Sequence, residues 1–332
     1  MAKFGKSIIF VLGLLLIIAI ITNTAIGSTN ISPLITAKIL LARYFFIEPT
    51  WTSSQEVIIT NIRLPRVLLG GFVGAALSTA GCAMQGLLKN PMADPYIIGM
   101  SSGAALGASI AFMLLLPVQV TSFVMAVITI FIVYNISIIG GKVPIDTLLL
   151  AGIAVGSFLA SITSLIIFLA QSPHQIIFWL MGGLWTANWD KVKITAILVT
   201  IGIVMLYRYS WKLNVMLLGE EEAQYLGVNV EHVKQYVLVF SALITAAAVS
   251  VSGIIGFVGL IIPHIMRILV GPDHRILFPA STLAGAIFLI LTDTFARTIM
   301  DSVELPVGVV TAMFGAPFFI YLLRKRRDNL YA

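Results

Sequence analysis

Apolar residues run along this chain in long unbroken blocks. A membrane span needs about 20 mostly apolar residues. Blocks of that kind lie near residues 7–27, 64–88, 97–116, 120–140, 147–170, 192–209, 235–251, 254–270, 276–297 and 306–323, so ten hydrophobic helices are predicted. The stretch from Val237 to Val270 is too long for one helix and is interrupted at SGIIG, residues 252–256, so it is read as two. Parity agrees, because only an even number of spans puts Lys3 and Lys6 on the same side as the basic run RKRR at 324–327. The expectation is an all-α, polytopic membrane protein forming one domain over residues 1–332, with no internal repeat and no low-complexity linker.

Composition excludes a soluble chain: 59% of residues are hydrophobic and 10% charged, with a mean hydropathy of +1.04. Soluble domains carry about a quarter charged residues. The single cysteine, Cys82, sits in an apolar run, which excludes a disulfide framework and a cysteine metal site, and it is read as a packing residue. The net charge of +6 does not point to nucleic acid. The basic residues gather at the ends of apolar blocks, as lipid headgroups and topology signals require. Lys3 and Lys6 before an apolar run could mark a cleaved signal, but an uncleaved first helix is the simpler reading.

With ten spans, thirteen of the twenty basic residues fall on one face: Lys3, Lys6, Lys89, Lys142, Arg208, Lys212, Lys234, Arg267, Arg275 and the run 324–327. The positive-inside rule makes that face cytoplasmic, with both termini on it. Lys38, Arg43, Arg63, Arg66, Lys191, Lys193 and Arg297 remain outside. The arginines of RLPR, residues 63–66, thus oppose the trend and need a reason other than topology. Small residues four apart, Gly70 with Gly74, Gly103 with Gly107 and Gly152 with Gly156, are read as close helix packing.

The chain has no GxxxxGK[ST] and so no P-loop of its own. Its four histidines, His174, His232, His264 and His274, lack the spacing and acidic company of a metal cage. No nucleophile, base and orienter recur as a set, so no catalytic residue and no metal site are assigned. Three features carry chemistry instead. The loop at 213–231 holds GEEEAQYLG, where Gly219 and Gly227 bracket a short helix and Glu220, Glu221 and Glu222 fill its first turn, favoured by the helix dipole. Ala223 and Leu226 are expected to offer an apolar ridge, with Tyr225 beside it, to a soluble partner. The second feature is NPMADP, residues 90–95, a rigid turn. The third is Asp293, four residues before Arg297 on one helical face. An intramembrane carboxylate is costly and seldom unpartnered; it would serve as a proton relay or, more simply, hold Arg297.

RLPRVLLGGFVGAALSTAGCAMQGLLKNPMADPYIIGMSSGAALGA (63–108), LLLAG (148–152), LGEEEAQYLGV (218–228), GIIGFVGLIIPHIMRILVGPDHR (253–275) and ELPVGVVTAMFGAPFFIYLL (304–323) together resemble the permease subunits of type II ABC importers for iron chelates, haem and vitamin B12. The resemblance runs from about residue 56 to the C-terminus. It implies a homodimer of ten-helix subunits in the cytoplasmic membrane, two ATPases on the cytoplasmic face and an external substrate-binding protein. ATP and Mg would reside on the ATPases, this chain binding no cofactor. It further implies that residues 213–231 couple to the ATPase, and that Arg63, Arg66 and Arg297 face outward to meet acidic residues of the binding protein. The cytoplasmic gate would be formed by the loop before LLLAG, here Ile145 and Asp146 where relatives often carry small hydroxyl residues, and by the NP turn, here Asn90 and Met92. A ferric siderophore leads among substrates, a corrinoid is second, and haem lacks a trusted His or Tyr set. Rival readings are an ion-coupled secondary transporter using Asp293 and an intramembrane enzyme using His264.

Overall fold

The computed structural model describes the backbone of residues 2–27, 29, 31–42, 45–46, 48–300 and 303–331, and the side chains of these except 2–4, 322–323 and 325–331. Arg43 and the side chains of Lys3 and of residues 325–327 in the terminal basic run therefore lie outside the described residues. In lipid every backbone polar group must be satisfied within the chain, and the described residues meet that demand almost wholly with helices. In chain order these are α1 (Ala2–Ala25), α2 (Pro33–Ala42), α3 (Ser53–Val57), α4 (Leu64–Leu87), α5 (Met100–Leu114), α6 (Val118–Ile136), α7 (Ile145–Leu169), α8 (Pro173–Leu180), α9 (Trp189–Arg208), α10 (Ser210–Met216), α11 (Glu220–Tyr225), α12 (Val230–Ser252), α13 (Val258–Val270), α14 (His274–Thr298) and α15 (Val307–Tyr331).

Each of the ten apolar blocks is a helix, namely α1, α4, α5, α6, α7, α9, α12, α13, α14 and α15. The break at SGIIG is real: α12 ends at Ser252 and α13 begins at Val258. Six helical stretches are long and apolar enough to cross a bilayer, and a seventh forms if α9 and α10, bent by 47° at Tyr209, count as one. α5 and α13, with 15 and 13 residues, are too short alone. At 1.5 Å per residue they cover only ~20 Å of a ~30 Å core. Irregular backbone makes up the difference. The segment 253–257 and the turn at 95–98 meet inside the bundle, where Tyr96 Oη donates to Ile255 O at 3.2 Å and Gly183 N donates to Ser252 O at 2.7 Å. Such backbone is tolerated at membrane depth only where protein satisfies it.

The block at 64–88 starts eleven residues earlier than hydropathy indicated. A capping box at Thr52 and Gln55 starts α3, a π-helical turn spans Ile58–Arg63, and the whole runs as one helix from Ser53 to Leu87. α4 forms the centre of the bundle, with α14, α12, α13 and α9 packed around it. Close packing demands small residues: a Cβ on Gly74 would strike Gly285 O, and one on Gly81 would strike Gly259 O. Gly103 and Gly107 set α5 against α6, and Gly152 meets the backbone of Ile97 and Ile98, so the glycine pairs of α5 and α7 pack helices as expected. Cys82 is fully buried in this core.

Contacts sort the connections onto two ends of the bundle. Gly5 abuts Ile276 and Gly86 abuts His274 at one end, while Trp189 Nε1 donates to Thr60 O at 2.9 Å at the other. These are termed the coupling end and the arginine end.

Candidate functional site

At the coupling end, the chain leaves α9 at Tyr209, whose ring stacks on Tyr236 at 5.6 Å with Lys212 Nζ 5.0 Å above it. α10 is pinned from the other side by Asn214, which donates to Asp273 Oδ1 at 2.6 Å and accepts from His274 N at 2.8 Å. Burial pushes the Asp273 carboxyl up, but the bonds from Arg275 and Asn214 outweigh it and hold its pKa below the ordinary value. Gly219 then turns the chain with φ 149°, a conformation open to glycine, and a Cβ there would strike the Glu222 carboxylate. α11 follows, and Gly227 at φ 80° ends it.

The predicted acidic first turn is present, but its residues divide. Glu221 and Glu222 are exposed, whereas Glu220 reaches inward to Lys234 Nζ at 2.9 Å. Lys234, on α12, is nearly buried and also contacts Glu231 Oε1 at 3.0 Å and Val143 O at 3.3 Å. Glu231 in turn accepts from Val143 N at 2.9 Å. One buried ammonium thus joins α11, α12 and the segment leading into α7, a junction that in the sequence reads only as a topology charge. The expected apolar ridge needs correction: Ala223 is fully buried and accepts from Val228 N at 2.9 Å, because the short helix needs an inward face of its own. The outward apolar patch is Leu217, Leu218, Tyr225 and Leu226, with Tyr225 91% exposed.

The candidate gate residues lie at the same end. Asn90 Oδ1 accepts from Met92 N at 2.9 Å, and Asp94 Oδ1 accepts from Tyr96 N at 2.8 Å, two side-chain turns that stiffen NPMADP. Lys89 before it adopts φ 49°. Ile145 and Asp146 open α7 behind Pro144, with Asp146 exposed. The NP turn and α7 belong to one packed unit, since Gly99 at the foot of α5 sits against Gly152 O.

At the arginine end Arg63, Arg66 and Arg297 converge, but not as a ring of outward charge. Arg63 is 5% exposed and donates to Ala25 O at 2.5 Å and Thr29 O at 2.6 Å. Arg66 pairs with Asp293 and with Glu304, both at 2.9 Å. Arg297 donates to Asn23 O at 2.5 Å and stands 3.8 Å from Asp293. Three guanidiniums against two carboxylates leave one positive charge in excess, and every one of the three arginines is already bonded internally. The expected pairing of Asp293 with Arg297 exists, but Arg66 is the closer partner. Glu304, the second acid, was unremarked in the sequence because it stands 238 residues from Arg66. Among the described residues no three His, Cys, Asp or Glu gather as a metal site, and His264 follows Pro263 within α13.

The comparisons with known proteins fit this geometry. The chain is 47% identical over 278 residues to the cobalamin import system permease protein of Halobacterium salinarum, covering 82% of this chain and 75% of that one. It is 39% identical over 327 residues to the Fe(3+)-citrate import system permease protein of Bacillus subtilis, covering 97% and 93%. A solved metal-chelate-type ABC transporter in an inward-facing conformation superposes with a TM-score of 0.86 at 32% identity, over 96% of this chain and 99% of that one. The family model for the FecCD transport family matches residues 15–325. An all-helical membrane permease that leaves ATP hydrolysis to other subunits is what these similarities describe, and this chain belongs to the FecCD transport family.

Proposed function

We propose that two copies of this chain form the membrane pathway of an ATP-driven importer for a bulky metal chelate. The observation that carries the reading is α11 with the apolar residues at its two ends: Leu218, Tyr225 and Leu226 stand exposed around a helix whose Glu220 is held by a buried lysine. Such a knob suits a cleft on a soluble ATPase that binds ATP and Mg. The coupling end is then cytoplasmic, as its excess of basic residues favours, and both termini lie there. An external binding protein docks at the arginine end. Because Arg63, Arg66 and Arg297 are internally bonded, their part in docking is to hold that face in register and supply its single excess charge; direct pairing with a partner carboxylate would require Arg66 to exchange Glu304. The gate of Asn90, Met92, Ile145 and Asp146 opens as the ATPases move α11. Lys234 passes that motion to Val143 and so to α7.

Between substrates, the 47% identity to a cobalamin import permease favours a corrinoid. A ferric chelate is the second reading, supported by the near full-length similarity to a Fe(3+)-citrate permease. The test is co-purification: the permease expressed with its genomic neighbours should isolate with an ATPase, and the soluble binding protein of the same locus should retain cyanocobalamin over a ferric siderophore. Isolation without an ATPase would remove the importer reading. Retention of the siderophore alone would reverse the order of substrates.

A further inference from the structure

Lys234 reaches one half of the gate, the segment leading into α7. The other half, the NP turn, hangs from the last turn of α4, where Asn90 N donates to Gln85 O at 3.2 Å and Lys89 N to Gly86 O at 3.4 Å. Between that turn and α10 stands a buried ring. His274, at the start of α14, is 1% exposed. On one side its Nδ1 lies 2.8 Å from Asn214 Oδ1 on α10. On the other its Nε2 lies against Gly86, where a Cβ would meet three atoms of this ring before any other group. Phe278, one turn further along α14, holds the ring from a third side at 5.7 Å.

The neighbours fix where the ring carries its proton. Asn214 Nδ2 donates to Asp273 Oδ1 at 2.6 Å, and Asn214 Oδ1 accepts from His274 N at 2.8 Å, so the amide cannot be reversed without setting its oxygen on a carboxylate. An amide oxygen facing Nδ1 can only accept, and Nδ1 therefore donates. Nε2 is buried and has no hydrogen-bond partner among the described residues; a proton there would be an unsatisfied buried donor. His274 is thus a neutral ring, polar toward α10 and a plain packing surface toward α4.

We propose that His274 is the positioning residue that carries motion of α10 to the NP turn. The Nδ1–H bond makes the ring follow Asn214, and Gly86, having no side chain, lets the ring bear directly on the last turn of α4. A close-packed interior transmits such a displacement because it holds little slack. The arm that meets the ATPase through α11 then has a link to each half of the gate: Lys234 to α7, and His274 to the turn of Asn90 and Met92. This assignment rests on the importer reading and does not depend on which substrate is carried.

The full transporter, permease with its co-purified ATPases, tests this in a Met92→Cys background. Cys82 is fully buried and stays silent. The rate at which a water-soluble maleimide labels position 92 should change roughly tenfold between nucleotide-free and ATP-bound states, the scale reached when a state at ~10% becomes the major one. His274→Asn keeps an amide donor toward Asn214 but leaves a gap at Gly86. It should retain bound ATPase and basal hydrolysis while losing the nucleotide dependence of labelling, and adding Gly86→Ala, which fills the gap, should restore that dependence in large part. A merely structural role would instead lower association, hydrolysis and thermal midpoint together. If His274→Asn does not fold, His274→Phe keeps a ring on Gly86 without the Nδ1–H donor and should lose the dependence likewise. Nitrogen-15 NMR of the histidine-labelled permease alone gives a second readout: the signals that either variant removes should be a pyrrole-type Nδ1 and an imine-type Nε2. Normal nucleotide dependence in a single variant, a wild type whose labelling ignores nucleotide, no recovery with Gly86→Ala, or a protonated Nε2 would overturn the assignment and leave the importer reading standing. Absence of any co-purifying ATPase would remove the importer reading and the assignment with it.

Discussion

Asp293 and Glu304 both bind Arg66, yet their surroundings differ and so should the effect of removing them. The Asp293 side chain is 3% exposed and serves two guanidiniums, whereas that of Glu304 is 40% exposed. Breaking a buried pair leaves an uncompensated charge and costs about 3–5 kcal/mol; an exposed pair contributes less than about 1 kcal/mol. Asp293→Asn should therefore lower the thermal midpoint of the detergent-solubilised permease by several degrees or abolish expression, and Glu304→Gln should barely change it. Equal effects would mean that the two carboxylates share the load. A docking test by charge reversal at Arg66 is subject to the same reasoning. Charge reversal there would place a third acid beside Asp293 and Glu304 and damage the permease itself, so weaker docking in that variant would say nothing of an external partner unless permease stability were unchanged.

Single helices carry the coupling predictions. In α11 the buried and exposed faces can be separated: Ala223→Arg should disrupt the helix and the loop that folds back on it, because Ala223 is fully buried and Val228 N donates to its carbonyl. Tyr225→Arg with Leu226→Arg should leave the permease folded, by gel filtration and thermal midpoint, while abolishing ATPase association. Retained association would assign these apolar residues to something other than the ATPase. Lys234 belongs to the same scale, since it joins α11 and α12 to the segment leading into α7. Lys234→Met should keep the ATPase bound and its basal hydrolysis present, but should uncouple hydrolysis from the substrate-loaded binding protein; Lys234→Arg should restore coupling in part. A variant that stimulates normally would show the junction to be purely structural.

The whole molecule presents apolar faces that lipid or a second copy would cover. α7 exposes Leu150, Ile153, Phe158 and Leu165, and α15 exposes Met313 and Phe314. If α7 and α15 meet a second copy, the turns beside them lie near the two-fold axis. Cysteines at Met92 or Asp146 should then crosslink between copies in at least one nucleotide state of the full transporter. Absence of crosslinks in every state, with the dimer shown intact, would move the gate elsewhere.

Hydropathy was enough to place ten helices and the break at SGIIG, because a lipid solvent leaves the backbone few alternatives to helix and the apolar blocks are long. The glycine pairs of α5 and α7 were legible as packing sites for a related reason: close helix contact in a membrane selects small residues wherever it occurs. Three things were not legible. The ends of α5 and α13 are completed by irregular backbone whose hydrogen bonds come from distant segments, such as Tyr96 to Ile255. Ala223 reads as surface in a six-residue window, and only the fold of residues 226–230 over it turns it inward. Arg63, Arg66 and Arg297 were counted as outward charges because their side of the bundle follows from parity. Whether a charge faces water or an acid depends on contacts made across 227 and 238 residues of chain. The sequence by itself determined the solvent, the helices and the family. Only the tertiary structure decided which charges remain free, since pairing depends on distances of a few ångströms that no local pattern encodes.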